Sequence, residues 1–82
     1  MDEPTVRIHA QTLRGEAGVT EGFLVNTVED RSIQISRRDA MDRVLVRDYR
    51  VWIVRLTHGP AWIELALERE TGALLRVERS RS

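Results

Sequence analysis

Apolar and polar residues alternate most clearly in the C-terminal half of the chain, along three segments that turn residues separate. The segments are 50–57, 61–69 and 73–79, and their period of two is that of strands. Residues 58–59 fit a two-residue hairpin turn, and 70–72 fit a three-residue loop with glycine at the left-handed position. This pattern predicts a three-stranded antiparallel meander.

The two turns also predict the register of the meander. Leu56 is expected opposite Ala61, and Leu65 opposite Val77. Because two separately assigned turns agree on one apolar surface, we expect that surface to form the core. We term it the inner face, and its members are Trp52, Val54, Leu56, Ile63, Leu65, Leu67, Leu75 and Val77.

The other side of the meander, termed the outer face, mixes charged and apolar residues. A face turned to water would not need Val51, Ile53 and Trp62 together, so either the N-terminal elements or a partner is expected to cover it. Arg55 is expected opposite Trp62, in a position for a cation–π contact. The outer face comprises Tyr49, Val51, Ile53, Arg55, Trp62, Glu64, Ala66, Glu68, Leu74 and Arg76.

The N-terminal half is less sharply patterned. Alternation of Val6, Ile8 and Ala10 predicts a strand over about 5–13. Two further strands are predicted, and polar or glycine-containing turns precede each of them. These strands cover about 19–28 and 32–35, and the turns lie at Gly15, Gly18 and 29–31.

Residues 37–47 are predicted to form the single helix. Ser36 can cap its first turn, and Asp39 lies near the positive end of the helix dipole. From Ala40 onward, apolar residues at i, i+1, i+4 and i+5 would share one helical face. Alternating valines leave a strand over 43–46 as the alternative.

Length and composition narrow the classes of function. The 82 residues have room for one domain, so 1–82 is predicted to be a single α+β domain with an antiparallel sheet and one helix. The chain has no cysteine, which excludes disulfide scaffolds and thiolate chemistry. His9 and His58 have no catalytic groups near them in sequence, so we predict no enzyme activity, metal site or cofactor.

Charge and hydropathy bear on location and partners. The 13 basic and 13 acidic residues balance, and all the basic residues are arginine. No stretch is apolar enough to cross a membrane, and the acidic first residues do not resemble a signal peptide. The sequence as it stands therefore predicts a cytoplasmic protein without membrane contact.

Residues 63–77 read IELALERETGALLRV, a hairpin with Thr-Gly in its loop. With the predicted helix before it, the stretch 36–79 resembles a PepSY-type domain. In that family a helix precedes a three-stranded antiparallel meander. The resemblance implies a non-catalytic regulatory or inhibitory binding domain.

The composition of the outer face predicts a small protein-binding module that acts as an inhibitor, adaptor or regulator. A phage-type inhibitor of a host machine would be one form of it. Tryptophan, tyrosine and arginine are enriched in interfaces. Self-association through a free edge of the strand 73–79 would give a homodimer. The predicted partner-binding residues are Tyr49, Val51, Ile53, Arg55 and Trp62.

The alternative function is a nucleic-acid-binding regulator. Its arginines would lie around the predicted helix and contact phosphates. Asp39, Asp42 and Asp48 are interleaved with them, which lowers the local positive charge. The arginines in question are Arg37, Arg38, Arg43, Arg47 and Arg50.

Overall fold

The structure is a computed structural model that describes residues 1–13 and 22–80. Each strand pairs antiparallel with its neighbour in sequence, in the order β1-β2-β3-β4. One helix and one antiparallel sheet confirm the predicted α+β class. The elements are α1 (Glu3–Leu13), β1 (Leu24–Arg38), β2 (Val44–His58), β3 (Ala61–Glu68) and β4 (Leu74–Arg79).

The predicted meander is confirmed in β2, β3 and β4, with a shifted first turn. The loop is Gly59-Pro60, so Leu56 lies opposite Ile63 rather than Ala61. A positive φ of 59° at Gly59 followed by the fixed negative φ of proline suits a two-residue hairpin turn. The register moves by two residues, an even step, and therefore keeps the same side chains on the inner face.

The second hairpin differs from its prediction at one point. Leu65 lies opposite Val77 as predicted, but an irregularity after Ala66 places Leu67 opposite Leu74. Leu74 therefore packs against the inner core, and Leu75 packs on the outer face. The prediction had these two leucines exchanged, because an irregularity inverts the side-chain alternation beyond it.

The strand predicted over 5–13 is wrong, since these residues belong to α1. Asp2 accepts a hydrogen bond from the N–H of Thr5 at 3.0 Å, which caps the helix. Val6 and Ala10 are buried one helical turn apart, whereas Ile8, which the alternation required, is 69% exposed. The spacing of Val6 and Ala10 fits both periods, and packing against the inner face selects the helix.

The inner core lies between α1 and the sheet. Val6 and Ala10 pack with Phe23 and with buried inner-face residues of β2 and β3. Hydrogen bonds from α1 and from Met1 before it also hold the N-terminal segment against the sheet and its last hairpin. His9 Nε2 lies 2.8 Å from the carbonyl oxygen of Gly72, and the indole N–H of Trp52 donates to the carbonyl oxygen of Met1 at 3.0 Å.

The strands predicted over 19–28 and 32–35 are one strand, because β1 runs without a turn at 29–31. Residues 19–21 and the turn predicted at Gly15 and Gly18 lie outside the described residues. Within β1 the register shifts between Val25 and Thr27.

The helix predicted over 37–47 is also wrong. These residues form the end of β1, a tight turn and the start of β2, so the alternative strand over 43–46 is confirmed from Val44 onward. Asp39 accepts hydrogen bonds from the N–H groups of Met41 and Arg43 and stabilises the turn. The stretch 36–79 therefore contains no helix before the meander, whereas the hairpin over 63–77 is present.

Candidate interaction surface

β1 and β2 extend well beyond the rest of the sheet. β3 pairs with β2 only between Val51 and His58, and just beyond it the N–H of Arg69 donates to the carbonyl oxygen of Arg50. Among the described residues, 33–38 and 44–49 therefore have only each other as strand partners. We term residues 32–50 the hairpin arm. A two-stranded ribbon in water is marginally stable by itself, which makes the arm the part of the sheet that gains most from further contacts.

The arm exposes apolar side chains on both of its sides. Val44, Leu45 and Val46 follow one another in β2, and they are 58%, 47% and 55% exposed. Alternation along the strand places Leu45 on the outer face and the two valines on the inner-face side. Met41 is exposed at the tip.

The tip of the arm is a three-residue loop in which side chains stabilise the backbone. Asp39 N–H donates to Arg43 O at 3.0 Å, and Asp42 has a φ of 63°, as in a type I turn followed by a left-handed residue. The backbone N–H of Arg43 and then that of Met41 hold the pKa of the Asp39 carboxyl below its usual value. Arg43 Nε also donates to Asp39 at 2.9 Å.

The centre of the outer face is a second, smaller apolar cluster. Val51, Ile53 and Ala66 are buried, and the partly buried residues packed against them, Ile33, Tyr49 and Leu75, come from β1, β2 and β4. The described members of this cluster all belong to the sheet. Among residues 1–13 and 22–80, neither predicted form of N-terminal cover, by strands or by a helix, is found over this centre, which side-by-side packing within the sheet buries.

Burial corrects the predicted partner-binding set. Val51 has no exposed surface and Ile53 has very little, so neither is available to a partner on this surface. Tyr49, Arg55 and Trp62 are partly exposed and remain available. Sequence reasoning missed Leu45 and Val46 because it placed them on a helix, although the alternation of Val44 and Val46 was the signal for a strand.

The predicted contact between Arg55 and Trp62 is present in a different register. Arg55 lies opposite Glu64, and Trp62 is its diagonal neighbour opposite Thr57. The guanidinium carbon of Arg55 is 4.6 Å from the centroid of the Trp62 ring. Arg55 Nε donates to Glu64 Oε2 at 3.0 Å, so one side chain makes both contacts.

The five arginines of the predicted nucleic-acid site lie on the arm and not on a helix. Three of them form ion pairs: Arg38 with Asp42, Arg43 with Asp39, and Arg50 with Asp30. Arg37 and Arg47 have no carboxylate partner among the described residues. With Tyr49 they line a cavity of about 180 Å³ on the outer face, completed by Ile35 and Leu45.

Asp30 joins the base of the arm to the inner core. It accepts from Arg50 at 3.2 Å and pairs with Arg69. The hydrogen bond from Arg69 holds the pKa of Asp30 below its usual value. Arg69 also lies over Trp52, with its guanidinium carbon 4.7 Å from the ring centroid.

The two histidines have structural contacts. His9 bonds to Gly72 as described above, and the ring of His58 meets that of Phe23 edge to face at 5.5 Å. In residues 1–13 and 22–80, no group of three metal-binding side chains comes together. Within the same ranges, no helix is long and apolar enough to cross a membrane.

Comparison with known proteins finds no relative of this chain. The chain matches no protein-family model, no curated protein and no solved structure. The hairpin arm and the accessible part of the outer face are therefore the features from which a function is inferred.

Proposed function

We propose that this chain is a small non-catalytic protein-binding module that contacts its partner through the hairpin arm. The observation that carries the proposal is the exposure of Val44, Leu45 and Val46 on both sides of a two-stranded ribbon. Burying apolar surface stabilises a complex by roughly 25 cal/mol per Å². A partner that covers both sides of the arm would bury these side chains and rigidify a marginal ribbon at the same time.

The accessible outer-face residues extend this surface. Tyr49 lies at the base of the arm, and Trp62 lies near the opposite end of β2 under Arg55. Tyrosine, tryptophan and arginine recur at interface hot spots because they combine a large contact area with hydrogen-bonding groups. Binding that blocks or bridges another protein would make the module an inhibitor, adaptor or regulator, of which a phage-type inhibitor is one form.

The test compares two matched substitutions in the complete chain. Leu45→Glu places a charge on the arm, and Ile8→Glu places the same charge on the exposed side of α1. We expect Leu45→Glu to lower capture of a protein partner from nuclease-treated lysate by ten-fold or more, at unchanged melting temperature. Ile8→Glu is expected to bind as the unsubstituted chain does. Equal capture by both variants would refute the arm as the binding surface.

A third variant, Trp62→Ala, examines the outer face separately. A loss of capture without a loss of folding would extend the contact surface to Trp62. Unchanged capture by a folded variant would remove Trp62 from the surface and confine the contact to the arm.

A second candidate function is binding of single-stranded nucleic acid, which the surroundings of Tyr49 favour. Proteins of this class combine aromatic side chains that stack on bases with arginines that contact the backbone. Arg37 and Arg47 lie beside Tyr49 and have no carboxylate partner in the described part of the chain. Fluorescence anisotropy with a labelled oligonucleotide at low salt tests this function. Arg37→Ala/Arg47→Ala should abolish a signal that the equally charged control Arg7→Ala/Arg76→Ala retains.

A further inference from the structure

Within residues 1–13 and 22–80, no strand pairs with the outer edge of β1, and this edge contains an unprotected segment. Residues 32–36 read Ser-Ile-Gln-Ile-Ser, without a charge, a proline or a bulge. Edge strands are usually protected by one of these features. β1 has such protection elsewhere, in the register shift between Val25 and Thr27 and in the charges at 29–31.

The other edge of the sheet is better protected. β4 has six residues, of which Arg76, Glu78 and Arg79 are charged. The sequence had placed self-association at this edge. The structure offers a longer and less charged edge in β1, which is 15 residues long.

The hydrogen-bond pattern of the arm shows which backbone groups of β1 point outward. Asp39 N–H donates to Arg43 O, so Asp39 and Arg43 form a hydrogen-bonded pair. Such pairs alternate along an antiparallel ladder. Arg37 and Ile35 therefore bond to β2, and the N–H and C=O groups of Gln34 point away from the sheet. Those of Ser32 and Ser36 do the same.

We propose that a second copy of this chain pairs with this edge, antiparallel about a two-fold axis at Ile33. The two four-stranded sheets then form one continuous sheet, and the arm becomes part of a four-stranded ribbon. The proposal rests on the arm being a protein-contact element, as proposed above, but it concerns the edge of the arm and not its apolar sides.

Charge complementarity selects this register. With Ile33 opposite Ile33 of the second copy, Glu29 lies opposite Arg37 of the second copy. The two-fold axis generates a second, equivalent Glu29–Arg37 pair. Arg37 thereby gains the carboxylate partner that it lacks within the described part of one copy. In the register displaced by two residues toward the tip, Arg31 would face Arg37 of the second copy, and like charges directly opposite are unfavourable.

The first experiment is sedimentation equilibrium of the purified full chain. We expect a dimer for the unsubstituted chain and for Gln34→Thr, which keeps the outward N–H. Gln34→Pro removes that N–H without removing a bond between β1 and β2, and we expect a folded monomer. A strict monomer at high concentration before substitution, or a dimer that Gln34→Pro leaves intact, would overturn the proposal.

Charge exchange tests the register without disturbing the backbone. Glu29→Arg and Arg37→Glu are each expected to weaken the dimer about ten-fold. The two single variants mixed together should form a heterodimer, since both ion pairs are then of opposite charge. Failure of the mixture to associate more tightly than either variant alone would overturn the register.

The two proposals fail in distinguishable ways. A chain that is monomeric but captures another protein in a Leu45-dependent manner would lose the dimer and keep the proposed function. A dimer that captures no other protein would keep the edge pairing and lose the target-binding function.

Discussion

The guanidinium of Arg55 lies over the indole ring of Trp62, diagonally across the β2–β3 pair on the outer face. The same guanidinium is hydrogen-bonded to Glu64. Arg55 therefore connects an aromatic ring and a carboxylate, and it fixes the orientation of the partly exposed Trp62. The backbone N–H of Trp62 also donates to Ser80 Oγ at 3.0 Å, which anchors the strand beneath the ring.

The cation–π contact predicts energetic coupling between Arg55 and Trp62. In a double-mutant cycle of Arg55→Ala and Trp62→Ala, we expect a coupling free energy of about 0.5–1 kcal/mol, measured by chemical unfolding. Arg31→Ala provides the control, since Arg31 pairs with Glu29 on the same face. The effects of Arg31→Ala and Trp62→Ala on the free energy of unfolding should be additive. Coupling of the same size in both cycles would show that the stacked geometry contributes nothing.

Two leucines of the sheet are expected to differ sharply in their contribution to stability. Leu65 is fully buried in the inner core, and Leu45 is exposed on the arm. Leu65→Ala should lower the free energy of unfolding by about 2–5 kcal/mol through lost burial and the cavity left behind. Leu45→Ala should change it by roughly 0.5 kcal/mol or less. Urea unfolding measures both, and similar losses would contradict the exposure of the arm.

Two glycines with positive φ provide a second matched pair. Gly72 has a φ of 74°, and a Cβ there would lie 2.6 Å from Met1 Cε and 2.9 Å from His9 Nε2. Gly59 has a φ of 59°, and a Cβ there would meet nothing within 4 Å. Gly59→Ala should therefore lower the free energy of unfolding by only about 1–2 kcal/mol, the cost of a left-handed backbone conformation for alanine.

Gly72→Ala should cost about 1–3 kcal/mol more than Gly59→Ala, because the added methyl group would have to displace the end of the Met1 side chain and the His9 ring. Thermal unfolding followed by circular dichroism measures the difference. Equal costs would indicate that Met1 and His9 do not pack on Gly72.

Stability is expected to fall on the acid side. The hydrogen bond from Arg69 lowers the pKa of Asp30, and the hydroxyl of Thr71 lowers the pKa of Glu68. A carboxyl whose pKa is lower in the folded state stabilises the fold fully above its unfolded pKa, about 4. That contribution is lost as pH falls through the folded pKa, because the unfolded chain then binds more protons. The contribution of these two carboxyls to the free energy of unfolding should be constant above about pH 5 and decline below about pH 4.

Removal of one ion pair should reduce this acid sensitivity. Asp30→Asn and Arg69→Gln each abolish the interaction that contributes most to the lowered pKa of Asp30. Each variant should show a shallower decline of the unfolding free energy below about pH 4. The decline should be shallower in Asp30→Asn than in Arg69→Gln, because Arg50 still lowers the pKa of Asp30 in Arg69→Gln, and the double variant should match Asp30→Asn. A decline unchanged by either variant would exclude this pair as a source of the pH dependence.

The sequence by itself determined the meander and the division of its side chains between two faces. Alternation with a period of two is a local property, and the loops predicted at 58–59 and 70–72 leave few alternatives for strand pairing. The first loop lies one residue later than predicted, which shifts the strand pairing by two residues and leaves each side chain on its predicted face. The irregularity beside Leu67 places Leu74 and Leu75 on the faces opposite to those predicted. The alternation of apolar and polar residues gave no sign of this irregularity.

Only the tertiary structure decided the N-terminal half. Val6, Ile8 and Ala10 satisfy a strand, and Val6 and Ala10 satisfy a helix equally well. The uncovered inner face of the meander selects the helix, because α1 buries Val6 and Ala10 there. Asp39 is a second ambiguous residue, predicted to begin a helix but found in a turn between two strands. The carboxylate that suits a helix start also accepts the N–H groups of Met41 and Arg43 in a tight turn.

The binding surface shows the same division. Composition alone indicated that the outer face has more apolar residues than a solvent-exposed face would need. Pairing of β2 with β1 on one side and β3 on the other then buried Val51 and Ile53, whereas Leu45 has only β1 beside it and is exposed. Away from irregularities such as the one beside Leu67, local pattern fixes which side of a strand a residue occupies. Its exposure depends on which strands lie beside it, and that is a property of the assembled sheet.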